Sequence, residues 1–261
     1  MEPTDPTNTP RTQHPADAPH TPDATDVLVR DMVRKRYRRR RTVVVSTVAA
    51  VVVTAAALVG AGLVRANNSD PGEAPDRVPA GVAGDKAGIT ASKGPVRVDL
   101  YLDYLCPECR NTERSLAATL KTLTADGDIR LVYHPVAFLD DYSSPGGYST
   151  RAASAAACAA DAGRFEEYTA LLFEKQPPER GPGLSDTQLV GAGKDAGISG
   201  DSFARCVRDA PHKKWVRYVS DVAASRKVSL TPTVMVAGER IDVTGGDAAG
   251  ELTRAVAEAR R

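Results

Sequence analysis

Cysteine is scarce in this 261-residue chain, at four residues, and so are the bulky aromatics, with four phenylalanines and one tryptophan. Neither sign of charge dominates: 34 basic side chains stand against 33 acidic ones. Each shortage excludes something. Four cysteines in 261 residues are too few for a disulfide-dense scaffold. Near-neutrality with few aromatics argues against a nucleic-acid binder. Long apolar runs are also rare, and the chain has one, Thr42 to Val64.

What is present is unevenly placed. Residues 1–23 hold six prolines and little that is apolar, so the segment reads as a disordered tail. Thr25 to Val33 has room for a turn or two of amphipathic helix. A basic run follows, from Arg34 through Arg41. It reads as a topology signal, with binding to anionic lipid head groups as the sharper alternative. The 23 residues of 42–64 carry no charge, and a helix of about 20 apolar residues spans a bilayer core. With basic residues on the N-terminal side, the expectation is a single-pass anchor in the cell membrane. Its N-terminus would be cytoplasmic and its C-terminal domain extracytoplasmic. Cleavage near Gly60 to Gly62 is the alternative. Residues 65–87, rich in Gly, Pro, Asp and Ala, read as a flexible linker. The expected organisation is a tail and basic run over 1–41, the anchor over 42–64, the linker, and one domain over 88–261. Residues 66–261 carry 24 basic and 27 acidic side chains, a mildly acidic balance of −3.

Within the domain, Val96 to Leu102 alternates as a strand does, and Leu116, Leu120 and Leu123 repeat at helical spacing after it. Ile129 to Tyr133 reads as a second strand, and about 148–227 as a helical block. Pro177-Pro178, Gly181 to Gly183, Gly197 and Pro211 interrupt that block. Thr233 to Val236 and Ile241 to Val243 read as strands, and Ala248 to Ala259 as a closing helix.

The chemistry concentrates in Cys106-Pro107-Glu108-Cys109, placed where a strand ends and a helix begins. A thiolate is the attacking species in thiol chemistry, and unpaired N–H groups at a helix start stabilise it. Cys106 is the candidate nucleophile. Cys109, three residues on, shares its side of the helix and is placed to close a disulfide or resolve a mixed one. Pro107 suits a first helical turn. Glu108 puts a carboxylate between the cysteines, expected to oppose a thiolate at Cys106 and so weaken the protein as an oxidant. Zinc wants a fuller ligand set, and His14, His20, His134 and His212 lack ligand spacing, so no metal and no added cofactor are expected. Asp103 reads as a cap or strand-end residue, or as a carboxylate moving protons for Cys109. Pro232, between Thr231 and Thr233, is either a strand-entry proline or a cis proline facing the sulfurs. His134 reads as structural or as part of the site's rim, and Trp215 as core. Cys158 and Cys206 are either free buried thiols or, in an oxidising compartment, a second and structural disulfide.

Three stretches together resemble one family. They are Val98 through Cys109, Tyr133 through Leu139 leading into the Ala-rich segment around Cys158, and Leu230 through Val234. The domain is similar to DsbA-like thiol–disulfide oxidoreductases. That resemblance implies an α/β thioredoxin-like fold with a helical insertion. It implies Cys106 as nucleophile, Cys109 as resolving thiol and Pro232 as a cis proline preceded by Thr231. It also implies exported proteins with cysteine thiols as substrates and reoxidation by a quinone-linked membrane partner. Glu108 departs from the histidine of strongly oxidising members. No dimerisation segment is apparent, so a monomer is expected. Two rival readings share these residues: a tethered reductase or isomerase, and a non-enzymatic copper-binding chaperone of thioredoxin fold.

Overall fold

The structure is a computed structural model that describes Gly72 and residues 74–261. The expected tail, basic run and anchor at 42–64 lie outside the described residues. Among the described residues no helix is long and apolar enough to cross a membrane.

Five strands form one sheet in the order β1-β3-β2-β4-β5. They are β1 (Ile89–Thr90), β2 (Val96–Leu102), β3 (Ile129–Pro135), β4 (Thr233–Val236) and β5 (Glu239–Ile241). β2 and β3 run parallel, with Val96 opposite Ile129, and the other neighbours are antiparallel. A parallel pair needs a crossover, and helix α1 (Pro107–Ala125) supplies it. Both alternating sets of β2 side chains are buried, Val98 and Leu100 on one face and Asp99 and Tyr101 on the other. β2 is therefore covered on both sides, and its end points α1 into the site.

Between β3 and β4 lie a 3₁₀ turn (Asp140–Tyr142) and five helices: α2 (Tyr148–Asp161), α3 (Phe165–Glu174), α4 (Asp186–Asp195), α5 (Asp201–Asp209) and α6 (Lys213–Ser225). The breaks expected at Pro177-Pro178, Gly197 and Pro211 fall between helices, and Gly197 takes the positive φ (+80°) that glycine tolerates best. α2 is the hub of this block. It packs on α3, α5 and α6, so Ala152, Ala153, Ala155, Ala156, Ala157 and Ala159 are all buried. Alanine suits a helix with neighbours around most of its girth, because small side chains let the helices approach closely. Helix α7 (Ala248–Ala259) closes the domain by packing on α1 and β4.

The domain begins earlier than Gly88. Ala83 and Ala87 are buried, and Val82 bridges to Ile89. Asp85 pairs with Arg97 and Arg226, and the Trp215 indole N–H donates to the Lys86 carbonyl at 2.8 Å. The Gly/Ala/Asp composition that suggested a tether here provides small side chains for close packing and one carboxylate that anchors the segment. β1 was also missed, since two residues carry no periodicity, and the last strand lies at Glu239–Ile241 rather than Ile241 to Val243.

Candidate functional site

The end of β2 delivers the chain through a turn into α1, and Cys106 is the N-cap of that helix. Its Sγ accepts the Cys109 backbone N–H at 3.3 Å, occupying one of the helix's unpaired donors. Pro107 fills the first helical turn, where its missing N–H costs nothing. Across the site, the peptide bond between Thr231 and Pro232 is cis. The Cys106 thiol donates to the Thr231 carbonyl oxygen at 3.4 Å. Cys109 lies deeper, 2 % exposed, and its Sγ accepts the Asp103 backbone N–H at 3.5 Å. Both thiols are free, so the site is in its dithiol form.

The two sulfurs have unequal acidity. A hydrogen bond from the Cys109 thiol is the largest influence on Cys106. Together with the Cys109 N–H and the Thr231 side chain, it outweighs burial and lowers the Cys106 pKa to about 7. Burial, then the neighbouring Cys106, push Cys109 well above the ordinary thiol value. The outer thiol is thus the one that ionises first, and the inner one keeps its proton.

Asp103 is completely buried. Its carboxylate accepts from the backbone N–H groups of Leu105 and Leu139, both at 2.9 Å, and from the Ser149 hydroxyl at 2.6 Å. Burial still dominates and raises its pKa to about 6. It is not the cap of α1, which is Cys106; it ties the turn after β2 to the segment after β3 and to α2. Its charge is the one that opposes the thiolate at Cys106. Glu108, expected in that role, is exposed and accepts a hydrogen bond from the Asn111 amide at 3.4 Å. Position 108 points outward from the helix start, while Asp103 sits beneath it.

His134 belongs to the core and not to the rim. It is fully buried and stacked on Tyr101 at 4.2 Å, and its Nε2 lies 2.7 Å from Asp99. Trp215 is core, as expected. Cys158 and Cys206 are joined by a disulfide between α2 and α5, 48 residues apart in sequence.

Two residues of the site were not anticipated. Gln176, after α3, donates its amide to the carbonyls of Tyr104 and Cys106, at 3.0 and 2.9 Å, and so fixes the turn that presents the nucleophile. Glu113 lies one turn beyond Cys109 on α1, a spacing visible in the sequence. Its Oε2 is buried without a hydrogen-bond partner, and burial, then Glu166, raise its pKa to about 7.

Beside the sulfurs runs an open groove of about 520 Å³, lined by Glu108, Leu230, Thr231, Pro232 and the strand-end residues 240–244. Leu230 stands 68 % exposed at its edge. A slightly larger hollow, about 590 Å³, lies between Arg77 and Lys214 and has no thiol in its lining.

The geometry can exchange a disulfide: an acidic outer thiol, a buried inner thiol within reach, and a backbone carbonyl beside them. Comparison with known proteins agrees. Residues 84–252 match the family model described as Thioredoxin. DsbA of Mycobacterium tuberculosis in its oxidised form is 29 % identical, with a TM-score of 0.56, over 66 % of this chain and 91 % of that one. The reduced form of the disulfide oxidoreductase DsbG from the same organism is 31 % identical, with a TM-score of 0.52, over 67 % and 94 % of the two chains. The serine/threonine-protein kinase PknE of M. tuberculosis H37Rv is 34 % identical over 109 residues. That stretch is 40 % of this chain and 19 % of the kinase.

Proposed function

Because the chain belongs to the thioredoxin family and is a thiol–disulfide oxidoreductase, we propose that it oxidises cysteine pairs of exported proteins through Cys106 and Cys109. The observation that carries this is the inequality of the two thiols, Cys106 lowered to about 7 and Cys109 raised well above its ordinary value.

In the oxidised enzyme a substrate thiolate attacks Cys106 Sγ. The Cys106–Cys109 bond breaks, and Cys109 leaves and takes up a proton. A second substrate thiolate then attacks the substrate sulfur of the mixed disulfide, expelling Cys106 as a thiolate. Two electrons pass from the substrate to the enzyme, and a new substrate disulfide is left behind. Whatever stabilises the departing Cys106 thiolate favours the reduced enzyme, which makes the oxidised form a better oxidant. The Cys109 N–H at 3.3 Å supplies part of that stabilisation. A thiol near 7 is less acidic than those of the strongest oxidants of this fold, so Cys106 makes this protein a weaker oxidant than they are.

The groove along Thr231 and Pro232 suits an extended substrate segment, with Leu230 as an apolar contact. Residues 42–64 would anchor the protein in the cell membrane, with 1–41 cytoplasmic and the thioredoxin-like domain outside. A quinone-linked membrane protein would return Cys106 and Cys109 to the disulfide form. The test is oxidative refolding of a reduced two-cysteine client by the oxidised protein. One client disulfide per enzyme disulfide is expected, and none with Cys106→Ala. Transfer unaffected by Cys106→Ala would refute the proposal.

A further inference from the structure

The disulfide between Cys158 and Cys206 has a third member beside it. The two sulfurs and a ring nitrogen of His212 lie within 4.8 Å of one another. The imidazole is 1 % exposed, at the start of α6. Its Nε2 lies 2.7 Å from Asp161 Oδ2. A carboxylate accepts, so Nε2 carries the proton and Nδ1 holds the lone pair. Nδ1 is buried and has no hydrogen-bond partner. Buried polar atoms are seldom left this way, and the stapled structure gives this one nothing to do.

We propose that Cys158, Cys206 and His212 form a zinc site when the disulfide between the two cysteines is reduced. Two thiolates and one imidazole are a zinc donor set that leaves a fourth position open. The His212–Asp161 contact is the carboxylate–histidine arrangement that orients metal-bound imidazoles. Thiolates about 2.3 Å from a tetrahedral ion stand about 3.8 Å apart. The two cysteines have Cα atoms 5.9 Å apart, so side-chain rotation alone can open that distance. Cys158 and Asp161 share one side of α2, three residues apart. Cys206 is only partly buried, which gives the ion and the reductant a route in.

The chemistry balances. A dithiol reductant gives two electrons and two protons to the Cys158–Cys206 bond and becomes a disulfide itself. Zinc then displaces both thiol protons to solvent, forming two Zn–S bonds and one Zn–N bond. Oxidation by a disulfide reverses this and releases the ion. The covalent bond and the metal are therefore alternative fastenings for α2, α5 and the start of α6, selected by the redox state of the surroundings.

The test uses the full chain in detergent, with Cys106→Ser and Cys109→Ser to remove the other thiol pair. With the disulfide intact, no zinc should be retained. After phosphine reduction and removal of the phosphine under anaerobic conditions, one zinc per chain is expected. Cobalt in its place should show thiolate-to-metal charge-transfer bands. His212→Ala should weaken binding at least 100-fold, and Asp161→Asn about 10–100-fold. Should reduction unfold the helical block, zinc should restore its circular dichroism in the His212 protein and not in His212→Ala. The inference is overturned if the reduced chain binds no zinc, if zinc fails to restore a lost fold, or if His212→Ala leaves the affinity unchanged.

Discussion

The carbonyl oxygen of Thr231 accepts a hydrogen bond from the Cys106 thiol at 3.4 Å, across 125 residues of sequence. This contact joins the helix start that makes Cys106 acidic to the strand entry that borders the groove. Nucleophile and groove are thereby held by one backbone group.

Absorbance of the thiolate in the reduced protein should titrate with a midpoint near pH 7, and iodoacetamide should modify Cys106 with the same pH dependence. At pH 6 about a tenth of Cys106 would be thiolate, and at pH 8 about nine-tenths. Cys109 should stay unmodified through this range. A midpoint near 8.5, the ordinary thiol value, would show that the helix start contributes nothing.

The same inequality sets the division of labour. Cys109→Ala should accumulate mixed disulfides with client proteins, because nothing remains to resolve the Cys106 adduct. Cys106→Ala should trap none, since Cys109 is 2 % exposed. Non-reducing gels of cells producing each variant would decide this, and trapping by Cys106→Ala alone would reverse the assignment.

Glu113 should make folding stability depend on pH. Its folded pKa of about 7 lies above the ordinary value of 4.5. The folded state thus holds the proton more tightly, and stability is lost as pH rises from about 4.5 to 7. Asp103, raised to about 6, adds a loss of the same sign between about 4 and 6. Asp99 acts oppositely. Its pKa is lowered to about 2 against the desolvation that burial imposes, by its hydrogen bonds to His134 and Arg97, so its contribution is lost as pH falls from about 4 to 2. Urea unfolding of Glu113→Gln at pH 5 and 7.5 should therefore show a fall smaller than the parent's by about 1–3 kcal/mol. Equal falls would place the Glu113 carboxyl in water.

Removing the remote disulfide with Cys158→Ala and Cys206→Ala should cost about 4 kcal/mol, the chain-entropy value for a loop of 48 residues. Client oxidation should persist below the lowered melting temperature, because neither cysteine touches Cys106. Loss of oxidation in a fully folded double variant would give this pair a part in the reaction.

Much of this was readable from the sequence because it is local. The alternation of Val96 to Leu102, the C-P-E-C motif at a strand-to-helix junction and Pro232 before a strand each lie within a few residues. β2 and β4 have the bounds that the sequence reading assigns. What escaped depends on distant partners. Gln176 follows α3 and looks like any solvated glutamine until its amide meets Tyr104 and Cys106. His212 has no sequence spacing to Cys158; only the packing of α2, α5 and α6 assembles them. Glu108 was assigned an effect from its neighbours in the chain, but helix geometry turns position 108 outward and leaves the opposing charge to Asp103.

The reduction potential of the Cys106–Cys109 pair, equilibrated with glutathione, tests the central claim most directly. Oxidation of exported proteins requires a value above roughly −220 mV, near or above the glutaredoxin range. Glu108→His should leave it nearly unchanged, because the exposed Glu108 carboxylate faces water and the charge opposing the Cys106 thiolate is that of Asp103. A potential at or below roughly −270 mV, the value for thioredoxin, would contradict the account and make the protein a reductase.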